Sequence, residues 1–337
     1  MRGITSDAVP DVEPILPPPP PADAAVTALP ATGPFPYGHP GHVPAPVTRR
    51  FDDVALVFEG GGMRATYTAA LVRLLLEEGL DFGWVGGISA GGTHTVNFVA
   101  RDRWRAREAF LSMPLDPQAG GWGSFVQGRG YFNSDHLYKE TTDPGQPFPL
   151  NIEVFAASPA QVRIGAFCGD TGQEVYWGKS DLDTLEKLLP RAQASASMPL
   201  LMPPVTIDGA RYYDGALGPT GGFATDAAQA DGFERMLVVT TRPPGYHKEE
   251  VRSLLYRQAF RRQPLVADAI IARPARYNAT MQELEDRVRS GSVYLFQPDR
   301  MGIENGELRY DRLVSAYEAG MVQARRELPR ILGFLEG

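Results

Sequence analysis

Ser89 stands in Gly87-Ile88-Ser89-Ala90-Gly91, a G-x-S-x-G sequence between an apolar, strand-like run and a helix-compatible one. Glycines flanking a serine let the backbone turn sharply from strand to helix and leave the hydroxyl exposed beside a helix N-terminus, poised as a nucleophile. Taken alone, the pentapeptide fits equally well a tight turn in which Ser89 caps the helix. A second glycine group, Glu59-Gly60-Gly61-Gly62-Met63-Arg64-Ala65, follows the first apolar run and opens the next helical pattern. Amides without side-chain cover at Gly60, Gly61 and Gly62 can converge on one point and hold the negative oxygen of a tetrahedral intermediate. The same run lacks the Lys-Ser/Thr that closes a P-loop, and Ala65 stands where a dinucleotide fingerprint wants glycine.

A serine needs a base, and histidine is the usual one. Of the five histidines, His39 and His42 lie in a proline-rich stretch, His94 is on the same expected helix as Ser89, and His136 sits in a polar loop. His247 follows Asp214 in the Ser-Asp-His order used by α/β-hydrolases, but its neighbours Pro243-Pro244-Gly245-Tyr246 read as a surface loop. A carboxylate held against the hydroxyl in a partly desolvated site serves as well, because burial raises its basicity. Asp214 has such surroundings: it ends a hairpin, Val205 to Tyr213, turning at Asp208-Gly209, and Gly215-Ala216 leave room beside it. Asp208 and Asp170 are explained by turn chemistry.

In this order, the glycine loop ending in Arg64, the Ser89 pentapeptide and Asp214-Gly215-Ala216 resemble the patatin-like phospholipases, and Ala194 to Pro204 is similar to the family segment leading into the catalytic Asp. The resemblance covers roughly residues 54–216, and a weaker likeness to a bacterial subgroup extends over Val293 to Pro298 and Leu313 to Ala324. It implies a three-layer α/β/α fold with a mainly parallel central sheet, a Ser89–Asp214 dyad without histidine, an oxyanion site at Gly61 and Gly62, Arg64 helping to fix that loop, no cofactor and no metal. It further implies cleavage of lipid carboxylic esters through an acyl-enzyme. Ala65 departs from the family's usual glycine after the basic residue. The rival readings are a triad using His247 and a silent lipid- or acyl-binding module.

The elements around these residues agree with an α/β chain. Val54 to Phe58 and Phe82 to Ile88 are apolar runs expected of buried parallel strands, each followed by helical spacing, Arg64 to Gly79 and Ala90 to Ala100. Further strands are expected at Ile152–Ala157, Val162–Phe167, Glu174–Trp177, Met236–Thr240 and Ser292–Phe296, and further helices at Asp181–Leu189, Glu249–Phe260, Pro264–Ile271, Ala275–Arg289 and Tyr310–Leu328. Thirteen of the 30 prolines precede residue 51, so residues 1–50 read as a disordered or polyproline II tail and 51–337 as one catalytic domain with a helical C-terminal extension from about 249.

Composition narrows the partners. A formal net charge of −7 over 337 residues argues against nucleic acid, and the single cysteine, Cys168, excludes an intrachain disulfide and suits a cytoplasmic protein. Asp7 and Asp11 interrupt what a signal peptide would need, and no apolar run reaches the length of a membrane span. Met198 to Pro204 is a candidate acyl-chain wall, Arg252, Arg257, Arg261 and Arg262 among Leu254, Leu255, Tyr256 and Phe260 are a candidate peripheral membrane contact, and Glu59 either pairs with a loop cation or ends its strand.

Overall fold

A computed structural model describes residues 43–337. In chain order its elements are β1 (Arg49–Phe58), α1 (Ala65–Glu77), β2 (Leu80–Ile88), α2 (Ala90–Val99), α3 (Arg103–Leu111), α4 (Trp122–Val126), α5 (Ile152–Ala157), β3 (Gln161–Cys168) and β4 (Gln173–Trp177). There follow α6 (Leu185–Ser195), β5 (Val205–Ile207), β6 (Ala210–Asp214), α7 (Thr225–Ala230), β7 (Arg235–Val239), α8 (Ser253–Ala259), α9 (Pro264–Arg289), β8 (Val293–Phe296) and α10 (Tyr310–Glu336).

The sheet runs β5-β6-β3-β2-β1-β7-β8, with β4 also paired to β3. Strands β3, β2, β1, β7 and β8 are parallel to one another, while β4, β5 and β6 enter antiparallel. Alternation along β1 assigns its two faces: Val54, Leu56 and Phe58 pack in the core shared with α1, α2 and α10, and Ala55 and Val57 in the core shared with α7 and α9. Helices therefore cover both faces, which is the three-layer α/β/α arrangement expected, with the parallel centre and an antiparallel edge.

Several expectations need correction. Ile152–Ala157 is helix α5 and no strand, because Asn151 accepts the Val154 amide at 3.1 Å and caps a helical turn that a short apolar run cannot by itself distinguish from a strand. The helices at 264–271 and 275–289 are one helix through Pro274, which is buried with Ile270 and Tyr277 so that packing carries the missing hydrogen bond. Helix 181–189 is displaced to α6, where the Thr184 side chain caps its start, and α10 continues through Pro329 to Glu336. Most of the proline-rich tail, residues 1–42, lies outside the described residues. Its last part is no tail: Ala45 is buried, and its carbonyl and those of Pro46 and Leu80 accept hydrogen bonds from the Arg101 guanidinium. The C-terminal extension likewise contributes a sheet strand, β8, and a helix, α10, packed on α1.

Candidate active site

Strand β3 is the bridge on which the site is assembled. Its Gly165 pairs with Ile88, the residue before Ser89, and its next residue, Ala166, pairs with Asp214. Ser89 and Asp214 thus emerge at one end of the sheet on either side of one strand, with the Ser89 hydroxyl beside the Asp214 carboxyl and favouring its charged form. Ser89 has φ 58° and ψ −126°, a conformation that costs a non-glycine residue on the order of 1–3 kcal/mol and is characteristic of a nucleophile held at a sharp strand-to-helix turn. The turn needs Gly87 and Gly91, since a Cβ on Gly87 would come within 2.5 Å of the Gly91 backbone and one on Gly91 within 2.3 Å of the Phe58 carbonyl.

Asp214 is 3% exposed and Ser89 5% exposed. Burial raises the Asp214 carboxyl above its ordinary range, opposed by the positive charge of Arg273, the Ala216 amide and the Ser89 hydroxyl. The Ala216 amide donates to Asp214 Oδ1 at 2.9 Å, and Gly215 permits the turn because a Cβ there would meet the Gly165 carbonyl at 2.5 Å. The Ala194 to Pro199 stretch supplies two direct supports: Ser195 Oγ accepts the Ser89 amide at 2.9 Å and donates to the Gly165 carbonyl at 2.6 Å, and the Ser197 carbonyl accepts the Asp214 amide at 2.9 Å. Ser195→Ala removes the acceptor of a buried amide, so we expect a loss of roughly 1–3 kcal/mol in chemical-denaturation stability. Any ester hydrolysis would fall in kcat with little change in KM, because the nucleophile and not the substrate contacts would be displaced.

The glycine loop lies against this pair. A Cβ on Gly60 would touch Ser89 Cβ at 3.0 Å, one on Gly61 would strike Thr241 Oγ1 at 2.5 Å, and Gly62 has φ +53° with the Asn305 carbonyl 2.5 Å from where its Cβ would be. The Gly60 amide is bonded to the Gly222 carbonyl, whereas among the described residues the amides of Gly61 and Gly62 have no backbone acceptor. Glu59 fixes the loop from below: it is buried, accepts the Thr241 amide and faces the charges of Arg64 and Lys248, with burial raising its carboxyl. Arg64 is buried at the loop's end and its guanidinium is held below its usual range by burial and by Arg242. Ala65 begins α1, as a first-turn residue.

The histidines stand elsewhere. His94 is buried, bonded to the Thr68 hydroxyl at 2.9 Å and packed at tilted angles between the Phe58 and Phe110 rings, and burial pushes its ring down to about 3, so it stays neutral. His136 is buried and lies between Asp116 and Glu140, a correction to the polar-loop expectation. His247 is exposed, its Nε2 paired with Asn278 Nδ2 at 2.9 Å. His39 and His42 lie outside the described residues. No cluster of three or more His, Cys, Asp or Glu among the described residues is arranged to hold a metal ion.

A cavity of about 110 Å³ opens at Ser89 and is almost wholly apolar. Ala90 and Val96 of α2, Phe110, Phe132, Leu137, Leu188 and Leu189 line it, together with Met198 and Met202 from the expected acyl wall. Leu200 of that wall is 53% exposed and faces away. Much of the lining comes from residues 113–150, a segment without apolar periodicity, in which the Tyr138 hydroxyl lies 3.2 Å from Thr93 Oγ1. Gly165, Ser195 and Thr241 were also not singled out as site residues by sequence reasoning, for each acts through a contact with a distant strand.

The family model for patatin-like phospholipase matches residues 56–224, half of the chain, and that for a domain of unknown function (DUF6363) matches residues 263–336. The chain belongs to the patatin-like phospholipase family. Among solved structures it is similar to VipD from Legionella pneumophila, at 10% identity and a TM-score of 0.40, over 86% of this chain and 67% of that one. No curated protein matches its sequence.

Proposed function

We propose that the protein is a serine acyl-ester hydrolase acting on lipid carboxylic esters, with Ser89 as nucleophile and Asp214 as general base. The observation that carries this reading is the Ser89 hydroxyl set beside a buried carboxyl at the mouth of an apolar cavity. Ser89 Oγ attacks the ester carbonyl carbon while its proton passes to Asp214, and the carbonyl oxygen, now negative, is received by the amides of Gly61 and Gly62. Collapse of the tetrahedral intermediate breaks the bond to the alcohol, which leaves with the proton from Asp214. Water then attacks the acyl-enzyme, again giving its proton to Asp214; the bond from the acyl carbon to Ser89 Oγ breaks, Oγ takes that proton back from Asp214, and the carboxylic acid departs with its acyl chain in the cavity.

Substrate reaches such a site from a lipid surface. Leu254 is 81% and Leu255 63% exposed on α8, with Arg252, Arg257, Arg261 and Arg262 exposed around them, a pattern suited to an anionic bilayer face. Among the described residues no helix is long and apolar enough to cross a membrane. The test is hydrolysis across a panel of phospholipids, lysophospholipids and glycerides. We expect at least one class to be cleaved by the wild type and by His247→Ala within about twofold; loss of turnover in His247→Ala would point to a triad, and no turnover of any ester to a silent acyl-binding module.

A further inference from the structure

A buried cation stands in the wall of the acyl cavity, about two helical turns from Ser89. Ala90, Thr93, Val96 and Asn97 recur at helical spacing on the face of α2 that lines the cavity. Thr93 lies one turn beyond the serine, its hydroxyl 3.2 Å from that of Tyr138, and Asn97 one turn further, about 12 Å from Ser89 along the helix. At that depth Arg105 of α3 also lines the cavity, although it is only 5% exposed. Its Nε donates to Asn97 Oδ1 at 3.1 Å, Asn97 Nδ2 donates to the Arg105 carbonyl at 3.3 Å, and Nη1 donates to the Phe148 carbonyl. These bonds clamp the guanidinium without neutralising it. Among the described residues Nη2 has no acceptor and no carboxylate lies within ion-pair distance. Asp102, the N-cap of α3, acts on Arg105 through its charge, and its Oδ1 accepts the Arg105 amide at 2.8 Å. Tyr138 feels the charges of both Asp214 and Arg105, which ties the catalytic pair and the cation to one cavity.

Burial lowers the Arg105 guanidinium only to about 10, so it is charged at neutral pH. A buried charge without an ionic partner is unfavourable unless an anion completes it. The remaining walls, among them Val96, Phe110, Leu137, Leu188 and Leu189, suit the methylenes of an acyl chain. A plain alkyl chain reaching Arg105 would end against a guanidinium to which it can offer no acceptor. A carboxylate in the same place pairs with the charge, and the planar fork of the guanidinium matches its two oxygens. We infer that the cavity selects acyl chains that carry a carboxylate at their far end, the monoesters of dicarboxylic acids, with Arg105 as the residue that reads that end. The depth of about 12 Å along α2 corresponds to an extended chain of roughly ten carbons. This deepens the ester-hydrolase reading and rests on it: Ser89 would cleave the ester at one end of the chain while Arg105 holds the acid at the other, releasing a dicarboxylic acid.

The experiment compares the mono-nitrophenyl ester of sebacic acid with nitrophenyl decanoate, equal in chain length, for the wild type, Arg105→Met and Arg105→Lys. The expected result is that the ratio of their kcat/KM values, sebacate over decanoate, falls at least about tenfold in Arg105→Met and is partly kept in Arg105→Lys. In the wild type, the monoesters of adipic, suberic, sebacic and dodecanedioic acids are expected to show an optimum at sebacate that the matching fatty-acid esters lack; this series decides the matter alone if Arg105→Met does not fold. Binding is read separately as the rise in melting temperature caused by free decanedioate and by decanoate, larger for the diacid in the wild type and equal for the two in Arg105→Met. A sebacate preference that Arg105→Met leaves unchanged, or a diacid series without an optimum, overturns the inference. Absence of ester hydrolysis in the wild type defeats the enzymatic reading alone, since the melting shifts still report on Arg105. Equal shifts from both acids in the wild type overturn the carboxylate site itself.

Discussion

Ser89→Ala is expected to abolish turnover of a short-chain nitrophenyl ester, a loss of at least roughly 10³-fold in kcat, and to leave the circular dichroism spectrum and melting behaviour close to those of the wild type. The size follows from what the substitution removes: without an oxygen no acyl-enzyme forms, and only the glycine amides and the cavity remain to assist water. The fold tolerates it because Ser89 Oγ touches Asp214 and the cavity, while the hydrogen bond from the Ser89 amide to Ser195 belongs to the backbone and persists. Alanine keeps the Cβ that the turn already accommodates at positive φ.

Asp214→Asn is expected to be nearly as severe, at least about 10³-fold in kcat, since an amide accepts a hydrogen bond but no proton. Its effect on stability has the opposite sign. Burial raises the folded-state pKa of Asp214 above its unfolded value. The folded protein therefore holds that proton more tightly, and this group's stabilisation is greatest below the unfolded pKa and declines as pH rises through the folded one. At neutral pH the ionised carboxylate costs stability. Asp214→Asn, uncharged and still able to accept from Ala216, melts above the wild type at pH 7 and loses that advantage in acid. In the wild type kcat/KM rises with pH through a midpoint above the ordinary carboxylate value of about 4. The inactive, thermally stabilised variant distinguishes a functional carboxylate from a structural one, whose removal would lower the melting temperature.

What sequence could and could not reveal follows from how each residue is used. Ser89, Asp214 and the glycines act through local backbone geometry, so their types and order are visible in short stretches. The hairpin at Asp208-Gly209 and the strands Val54–Phe58, Val162–Phe167 and Glu174–Trp177 declare themselves through turn chemistry and apolar runs. Residues 113–150 have no such period, because they cover a cavity from one side and alternate with exposed turns; their role appears only when Phe132, Leu137 and Tyr138 meet α2 and α6. The short run at Ile152 misleads because an Asn151 cap decides what hydrophobicity leaves open. Gly165 is silent in one dimension: it matters because β3 runs between β2 and β6.

Labelling with a fluorophosphonate probe, followed by mass spectrometry of the modified peptide, tests the Ser89–Asp214 pair most directly, because phosphonylation requires a serine oxygen activated by a neighbouring base. We expect one adduct, on Ser89, in the wild type and in His247→Ala, and none in Ser89→Ala or Asp214→Asn. An unlabelled wild-type protein, or labelling that survives Asp214→Asn and disappears in His247→Ala, would contradict it.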